Sequence, residues 1–176
     1  MAQAAIPQQW DRRFGAIWKE LQRLLERSGA ATAVLLDTSG NAVTYAGEDP
    51  DFDLSAFASL AVGDFLATQE MAFLLGEESM RWVVHQGLTG GVVLAPLHPL
   101  LVLAVLFDGR TTLGLVRHEM RKGRARLEEA TRPLLELLEQ TLDADEVSDA
   151  EDDAARAAAA DRVIGEGLSR LFGPSA

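Results

Sequence analysis

From residue 10 to residue 27 the apolar positions fall three and four apart. Trp10, Phe14, Ile17, Trp18, Leu21, Leu24 and Leu25 share one face of a helix, with Arg12, Arg13, Glu20, Arg23 and Arg27 between them and Gly29 closing it. The period then changes. Ala33 to Asp37 and Ala42 to Ala46 read as short strands joined by the turn sequence Thr38-Ser-Gly-Asn41. Asp53 or Ser55 caps a second helix from about Leu54 to Leu75. Arg81 to Gln86 is a third strand and Gly90-Gly91 opens a fourth. Pro96 and Pro99 close the hairpin into a fifth, since neither can donate to a ladder.

That fifth strand, Leu100 to Phe107, has no polar residue and no alternation, so both of its faces are expected to be buried. Asp108-Gly109 turns the chain, and Thr111 or Thr112 offers a hydroxyl to the first amides of a long final helix. Val116, Met120, Gly123, Leu127, Ala130, Leu134 and Leu137 recur along that helix at four-three spacing. Pro133 is expected to break or bend it. The order helix, two strands, helix, three strands, helix predicts an α+β fold. Its five-stranded, mostly antiparallel sheet carries helices on both faces.

The domain is expected over residues 8–142. Residues 143–153 hold seven carboxylates in eleven positions, which reads as a solvated acidic linker. Residues 154–173 form an expected C-terminal amphipathic helix with Val163, Ile164, Leu168, Leu171 and Phe172 along one stripe. Gly165 and Gly167 weaken it by up to about 1 kcal/mol each.

The second helix departs from the usual pattern. Phe57, Leu60, Val62, Phe65, Leu66, Met71, Phe73 and Leu74, with several alanines, cover most of its circumference, where a surface helix needs one apolar face. Asp64 and Glu70 near its middle argue against a membrane span. A fully buried core helix is one alternative. The reading favoured is that one face covers the sheet while another meets a second copy of the chain. Ala58, Ala61, Gly63 and Ala67 would allow close approach of two such helices, with Val62 and Phe65 at the seam. The Arg81–Gln86 strand, rich in β-formers, would otherwise be an exposed edge, which adds Trp82 and Val84 to the expected dimer interface.

Composition narrows the chemistry. The 176 residues carry a net charge of −11 and no cysteine, so disulfides and thiolate metal sites are excluded and a reducing compartment fits. The first nine residues lack the regions of a signal peptide, and a cytoplasmic protein is expected. There is no phosphate-binding glycine loop, nucleophile elbow or His-Glu-x-x-His. His85, His98 and His118 are far apart and read as satisfied or exposed imidazoles. Asp64 and Glu70, six apart, do not share a helical face as an acid/base pair would. No enzyme, metal or cofactor is expected. Arg110, Arg117, Arg121, Lys122, Arg124 and Arg126 concentrate positive charge in seventeen residues. Without interleaved aromatics they do not suit nucleic acid. They read as a solvated helix face, or as a contact for an acidic partner or the chain's own linker.

Several short runs, in order, carry a resemblance. Val34-Leu-Leu-Asp37 before a Ser-Gly turn, Ala58-Ser-Leu-Ala-Val-Gly63, Leu74-Leu-Gly-Glu77, His85-Gln-Gly87, Asp108 to Arg117 and Leu168 to Phe172 resemble the roadblock (dynein light chain) family. The likeness is strongest to its bacterial MglB branch, the partners of the small Ras-like GTPase MglA. The resemblance implies a homodimer with paired third strands and adjacent second helices. It implies that one MglA-type GTPase is bound across those helices and that its GTP hydrolysis is accelerated without an inserted arginine. Gly63, Leu66, Ala67 and Glu70 would contact the GTPase, and so would Val163, Ile164, Leu168, Leu171 and Phe172 of the tail, which would influence nucleotide exchange. Polarity or motility, a location at the cell pole and further polarity proteins as partners would follow. Leu66 and Glu70 stand where the family tends to have small residues. An adaptor or scaffold dimer of the MglC kind, binding partners without activating a GTPase, is therefore the alternative, and a small-molecule-binding domain or enzyme a third.

Overall fold

The computed structural model describes the backbone of residues 8–145 and the side chains of residues 14–136. Its elements are α1 (Gln8–Ser28), β1 (Thr32–Asp37), β2 (Ala42–Gly47), α2 (Leu54–Leu74), β3 (Val83–Gln86), β4 (Gly90–His98), β5 (Leu101–Asp108) and α3 (Leu113–Asp145). All five strands form one antiparallel sheet in the order β2-β1-β5-β4-β3. β5 is therefore central, and its run of Leu and Val needs no alternation because helices cover both of its faces. Leu101 to Val105 are all buried.

Two apolar layers sandwich the sheet. On one face Ile17, Leu21, Leu24 and Leu25 of α1 meet Val116, Met120, Leu127 and Leu134 of α3 over Leu35, Val93, Leu103 and Val105. On the other, α2 alone places Ala58, Ala61, Val62 and Phe65 on Val34, Leu36, Leu94, Val102 and Ala104. Alternate residues of β1 and β5 thus serve opposite layers.

The helix ends follow local chemistry. Gly29, at φ 67°, closes α1, and its amide donates to the Leu25 carbonyl at 2.8 Å. Asp53 is the cap of α2, accepting from the Ser55 and Ala56 amides at 2.9 and 3.1 Å. The two threonines before α3 divide the expected role. Thr112 Oγ1 accepts from the Leu115 amide at 3.3 Å, while the Thr111 hydroxyl donates to the Ser28 carbonyl and ties α3 to the end of α1.

Four expectations are corrected. Pro133 does not break α3, which runs on to Asp145. A proline there costs roughly 3 kcal/mol, but buried Leu127, Leu134 and Leu135 flank it, each worth about 1.5–3 kcal/mol when fully desolvated. Asp143–Asp145, expected to open the linker, extend the helix. Pro96 is not in the hairpin turn but inside β4, opposite Val102. β3 ends opposite Leu94, so at Pro96 β4 is itself an edge, where a missing amide hydrogen is tolerated. Trp18, placed on the apolar face by its spacing, is 50% exposed. Most of the acidic run and the side chain of Trp10 lie outside the described residues, as do residues 154–173.

Gly47 closes β2 at φ 102°, and a Cβ there would stand 2.2 Å from the Ala31 carbonyl oxygen and 2.7 Å from Leu25 Cδ1. Gly47→Ala is expected to lower stability by about 2 kcal/mol or more, from the left-handed backbone and the clash together. Urea unfolding checks this; an unchanged midpoint would contradict the close approach of β2 to the end of α1.

Candidate protein-interaction site

α2 is a helix apolar all round that has only one face covered. Ala58, Ala61, Val62, Phe65 and Ala72 are buried against the sheet. On the opposite side Ala56, Leu60, Gly63, Ala67, Met71 and Leu74 run down the helix at four-three spacing, and all are exposed. Leu60 is 75% exposed, Phe73 79% and Leu74 81%. An apolar stripe of this length is what a chain leaves for another protein rather than for water. Its small residues, Ala56, Gly63 and Ala67, leave room for a second backbone.

The stripe has two distinguishable flanks. Ser59, Leu66, Glu70 and Phe73 lie toward the β1–β2 turn, where the Ser59 hydroxyl donates to the Gly40 carbonyl at 3.3 Å. Asp64 lies toward β3, and its Oδ2 sits 2.7 Å from His85 Nε2. Two of the three histidines do meet a carboxylate: His118 Nε2 lies 3.8 Å from its neighbour Glu119, and His85 meets Asp64 across 21 residues of chain, in a pair that is substantially exposed. It is a brace between α2 and the sheet edge, with no third group hydrogen-bonded to it among the described residues. Glu70 is exposed and shares no site with Asp64.

The path from α2 to β3 is tightly held. Gly76, at φ 75°, ends the helix, with the Gly76 and Glu77 amides donating to the carbonyls of Phe73 and Ala72 at 3.1 and 3.0 Å. The Gln69 carboxamide then makes two bonds of 3.1 Å with the Met80 backbone. These contacts set β3 at the end of the sheet with one side unpaired, shorter by two residues than the expected Arg81–Gln86 strand. A free edge beside an exposed apolar helix forms one continuous surface.

The expected site residues fall into three groups. Gly63, Leu66, Ala67 and Glu70, expected at a GTPase, are exposed and open to a partner. Ala58, Ala61, Val62 and Phe65, expected at a dimer seam, are instead in the chain's own core, between 0% and 8% exposed. A side chain already covered by its own sheet has little area left for a second chain, so a second copy would have to meet exposed residues of α2 such as Leu60, Met71 and Leu74. Trp82 and Val84 are half-buried at the β3 edge against the α1–α3 layer. Val163, Ile164, Leu168, Leu171 and Phe172 lie outside the described residues. Sequence reasoning counted Leu60, Met71 and Leu74 in the apolar circumference without assigning them to an interface and passed over Ala56, although their spacing is as regular as that of the buried stripe.

The basic cluster mostly resolves into ion pairs. Arg110 joins Glu48 and Asp108 beside β2, Lys122 approaches Glu119, Arg124 Nε lies 2.6 Å from Glu128 and Arg126 Nε 3.0 Å from Glu20. The Arg110 guanidinium holds the carboxyls of Glu48 and Asp108 below their usual range, and they raise its own pKa in return. No group of histidines and carboxylates among the described residues could hold a metal ion. No described helix is long and apolar enough to cross a membrane.

An antiparallel sheet with two helices on one face, a single half-covered helix on the other and a free edge defines an α+β interaction module. The chain belongs to the Roadblock/LC7 domain family, which matches residues 16–107. Its structure is similar to that of the gliding protein MglB from Thermus thermophilus, at 27% identity and a TM-score of 0.62, over 67% of this chain and 90% of that one. It is similar also to Myxococcus xanthus MglB, at 31% identity and TM-score 0.62, over 66% and 94% of the two chains. A Roadblock/LC7 domain from Streptomyces avermitilis aligns at 25% identity and TM-score 0.56, over 67% and 96%. Among curated proteins none matches the chain by sequence.

Proposed function

We propose that the protein is a homodimeric regulator of a Ras-like small GTPase of the MglA type, accelerating its GTP hydrolysis. The observation that carries this reading is the exposed stripe of α2 beside the unpaired edge of β3. The likeness to two MglB proteins over nearly their whole length supports it. Two copies join β3 to β3, with the β3-side flank of each α2, including Met71, at the seam. The remaining surface, Gly63, Leu66, Ala67 and Glu70, then receives the GTPase. Residues 54–75 contain no arginine or lysine, so a GTPase lying on α2 gains no cation from it. Acceleration must come from positioning the GTPase's own groups around the γ-phosphate, the larger part of catalysis in this chemistry.

The exposed side chains of Leu66 and Glu70 support a second reading. A bulky apolar group and a charge on the partner-facing flank suit an adaptor that binds without activating. Purified protein mixed with its small GTPase and GTP separates the two. Phosphate release faster than from the GTPase alone is expected. Binding without acceleration would favour the adaptor, and neither binding nor acceleration would overturn both.

A further inference from the structure

On the other face of the sheet, where α3 crosses the approach to β3, lies an open groove of about 910 Å³. Arg117, His118, Arg121 and Arg124 of α3 form one wall, and Ser79, Arg81 and Trp82 form the other. Ala95, Leu97, Leu103 and Met120 make an apolar floor. No carboxylate lines it, in a chain that carries 27 acidic residues against 16 basic ones.

Pairing sharpens the contrast. Among the described residues Arg23, Arg27, Arg110, Lys122, Arg124, Arg126 and Arg132 each lie within 4 Å of a carboxylate. Arg81, Arg117 and Arg121 have none, and all three line the groove. Arg117 is held 5.3 Å over the ring of Trp82, and Arg121 reaches only His118 Nδ1 at 3.4 Å. A cation stacked on an aromatic keeps its N–H groups free, already oriented for an oxygen acceptor.

We propose that this groove binds an extended acidic segment of a partner protein, whose carboxylates meet Arg81, Arg117 and Arg121 while an apolar side chain rests on the floor. The chain's own acidic run is the obvious rival, and its reach decides against it. α3 rises about 1.5 Å per residue, so Asp145 lies roughly 36 Å along the helix from Arg121. Eight residues from Asp145 to Asp153 span at most about 28 Å when fully extended. Turned back along α3, the last carboxylate of the run reaches the near end of the wall at Arg124 but stays about 14 Å short of Arg117 along the helix. The groove is open, and its volume of about 910 Å³ is far more than a compact anion fills. The site lies across the sheet from α2, so it shares no residue with the α2 surface proposed for the GTPase, although its Arg81 and Trp82 wall adjoins the β3 edge at which the proposed dimer pairs.

The test is fluorescence anisotropy of a short labelled peptide of alternating glutamate and leucine, titrated with the full chain at low and physiological salt. Saturable binding that weakens with salt is expected, falling about tenfold with Arg121→Gln and further with Arg117→Gln added. Lys19→Gln removes an unpaired cation elsewhere and is expected to change nothing. Melting of each variant separates loss of binding from loss of fold, and Arg121→Gln, which disturbs no contact but that with His118, carries the result if Arg117→Gln unfolds the domain. The proposal is overturned if the peptide does not bind, if Lys19→Gln weakens it equally, or if inorganic phosphate displaces it at equal concentration. It is overturned too if neutralising Glu146, Asp149, Glu151, Asp152 and Asp153 in the full chain tightens peptide binding, which would place the chain's own run in the groove.

Discussion

Replacing Phe65 by aspartate is expected to unfold the domain, whereas the same change at Leu60 should leave it folded and turn it monomeric. The two residues lie on one helix, five apart, yet Phe65 is 5% exposed and Leu60 75%. Removing a buried phenylalanine costs about 3–5 kcal/mol in packing alone, and a carboxylate left without a partner there costs several more. Domains of this size have about 5–15 kcal/mol in total, so the folded state should be lost or nearly so. At Leu60 the side chain meets water, and the change costs little beyond helix propensity, under about 1 kcal/mol. Its effect should be felt only in association, where an unpaired charge would be buried against a second α2. Thermal melting followed by circular dichroism, with light scattering for mass, separates the two variants. A Leu60→Asp protein that remains dimeric would move the seam off the stripe and onto the β3 edge alone.

That contrast also shows where sequence reasoning stopped. α1 announced its buried face because Ile17, Leu21, Leu24 and Leu25 alternate with charges, and β5 announced its central place because nothing in it is polar. α2 offers no such asymmetry. Phe65 and Leu66 are adjacent and both apolar, and only the sheet beneath decides that Phe65 lies in the core and Leu66 outside. Periodicity orients a helix only when one side differs in polarity from the other. A helix meant to face both its own sheet and another protein removes that difference by construction. The fold was therefore legible almost to the residue at the caps, since Asp53, Gly29 and Thr112 act through neighbours in sequence. The division of α2 between buried and exposed apolar residues was not.

Contacts between distant segments were the other blind spot. The arginine-rich stretch after β5 reads as one cluster along the chain, but Arg110 turns to β2, Arg126 to α1, and only Arg117 and Arg121 remain unpaired, joined by Arg81 from the approach to β3. Nothing in the spacing of Arg81 connects it with α3. The Asp64–His85 brace was hidden in the same way. Pro133 failed as a helix breaker because Leu127, Leu134 and Leu135 are buried on both sides of it, and tertiary burial outweighs a local cost of roughly 3 kcal/mol.

Deleting residues 154–176 is expected to leave melting and dimer mass unchanged while weakening GTPase binding or altering nucleotide exchange. The described core is built from α1, α2, α3 and the sheet, all between Phe14 and Leu135. The segment nevertheless carries Val163, Ile164, Leu168, Leu171 and Phe172 on one helical stripe. Fully desolvated, such side chains contribute roughly 1.5–3 kcal/mol each, enough to offset the ordering of a short helix when a partner surface is present. Gly165 and Gly167 lower intrinsic helix stability by up to about 1 kcal/mol each, which makes ordering conditional on that surface. A charged run of this length is expected, from the sequence, to let the segment reach a GTPase without constraining the domain. Removal should therefore raise the dissociation constant of the GTPase complex by about tenfold or more, or change the rate of nucleotide release, with the dimer intact. Release of a fluorescent guanine nucleotide, measured with full-length and truncated protein beside a melting curve, decides it. A truncated dimer that unfolds would make the segment part of the core, and one that treats the GTPase identically would leave it without a role in this complex.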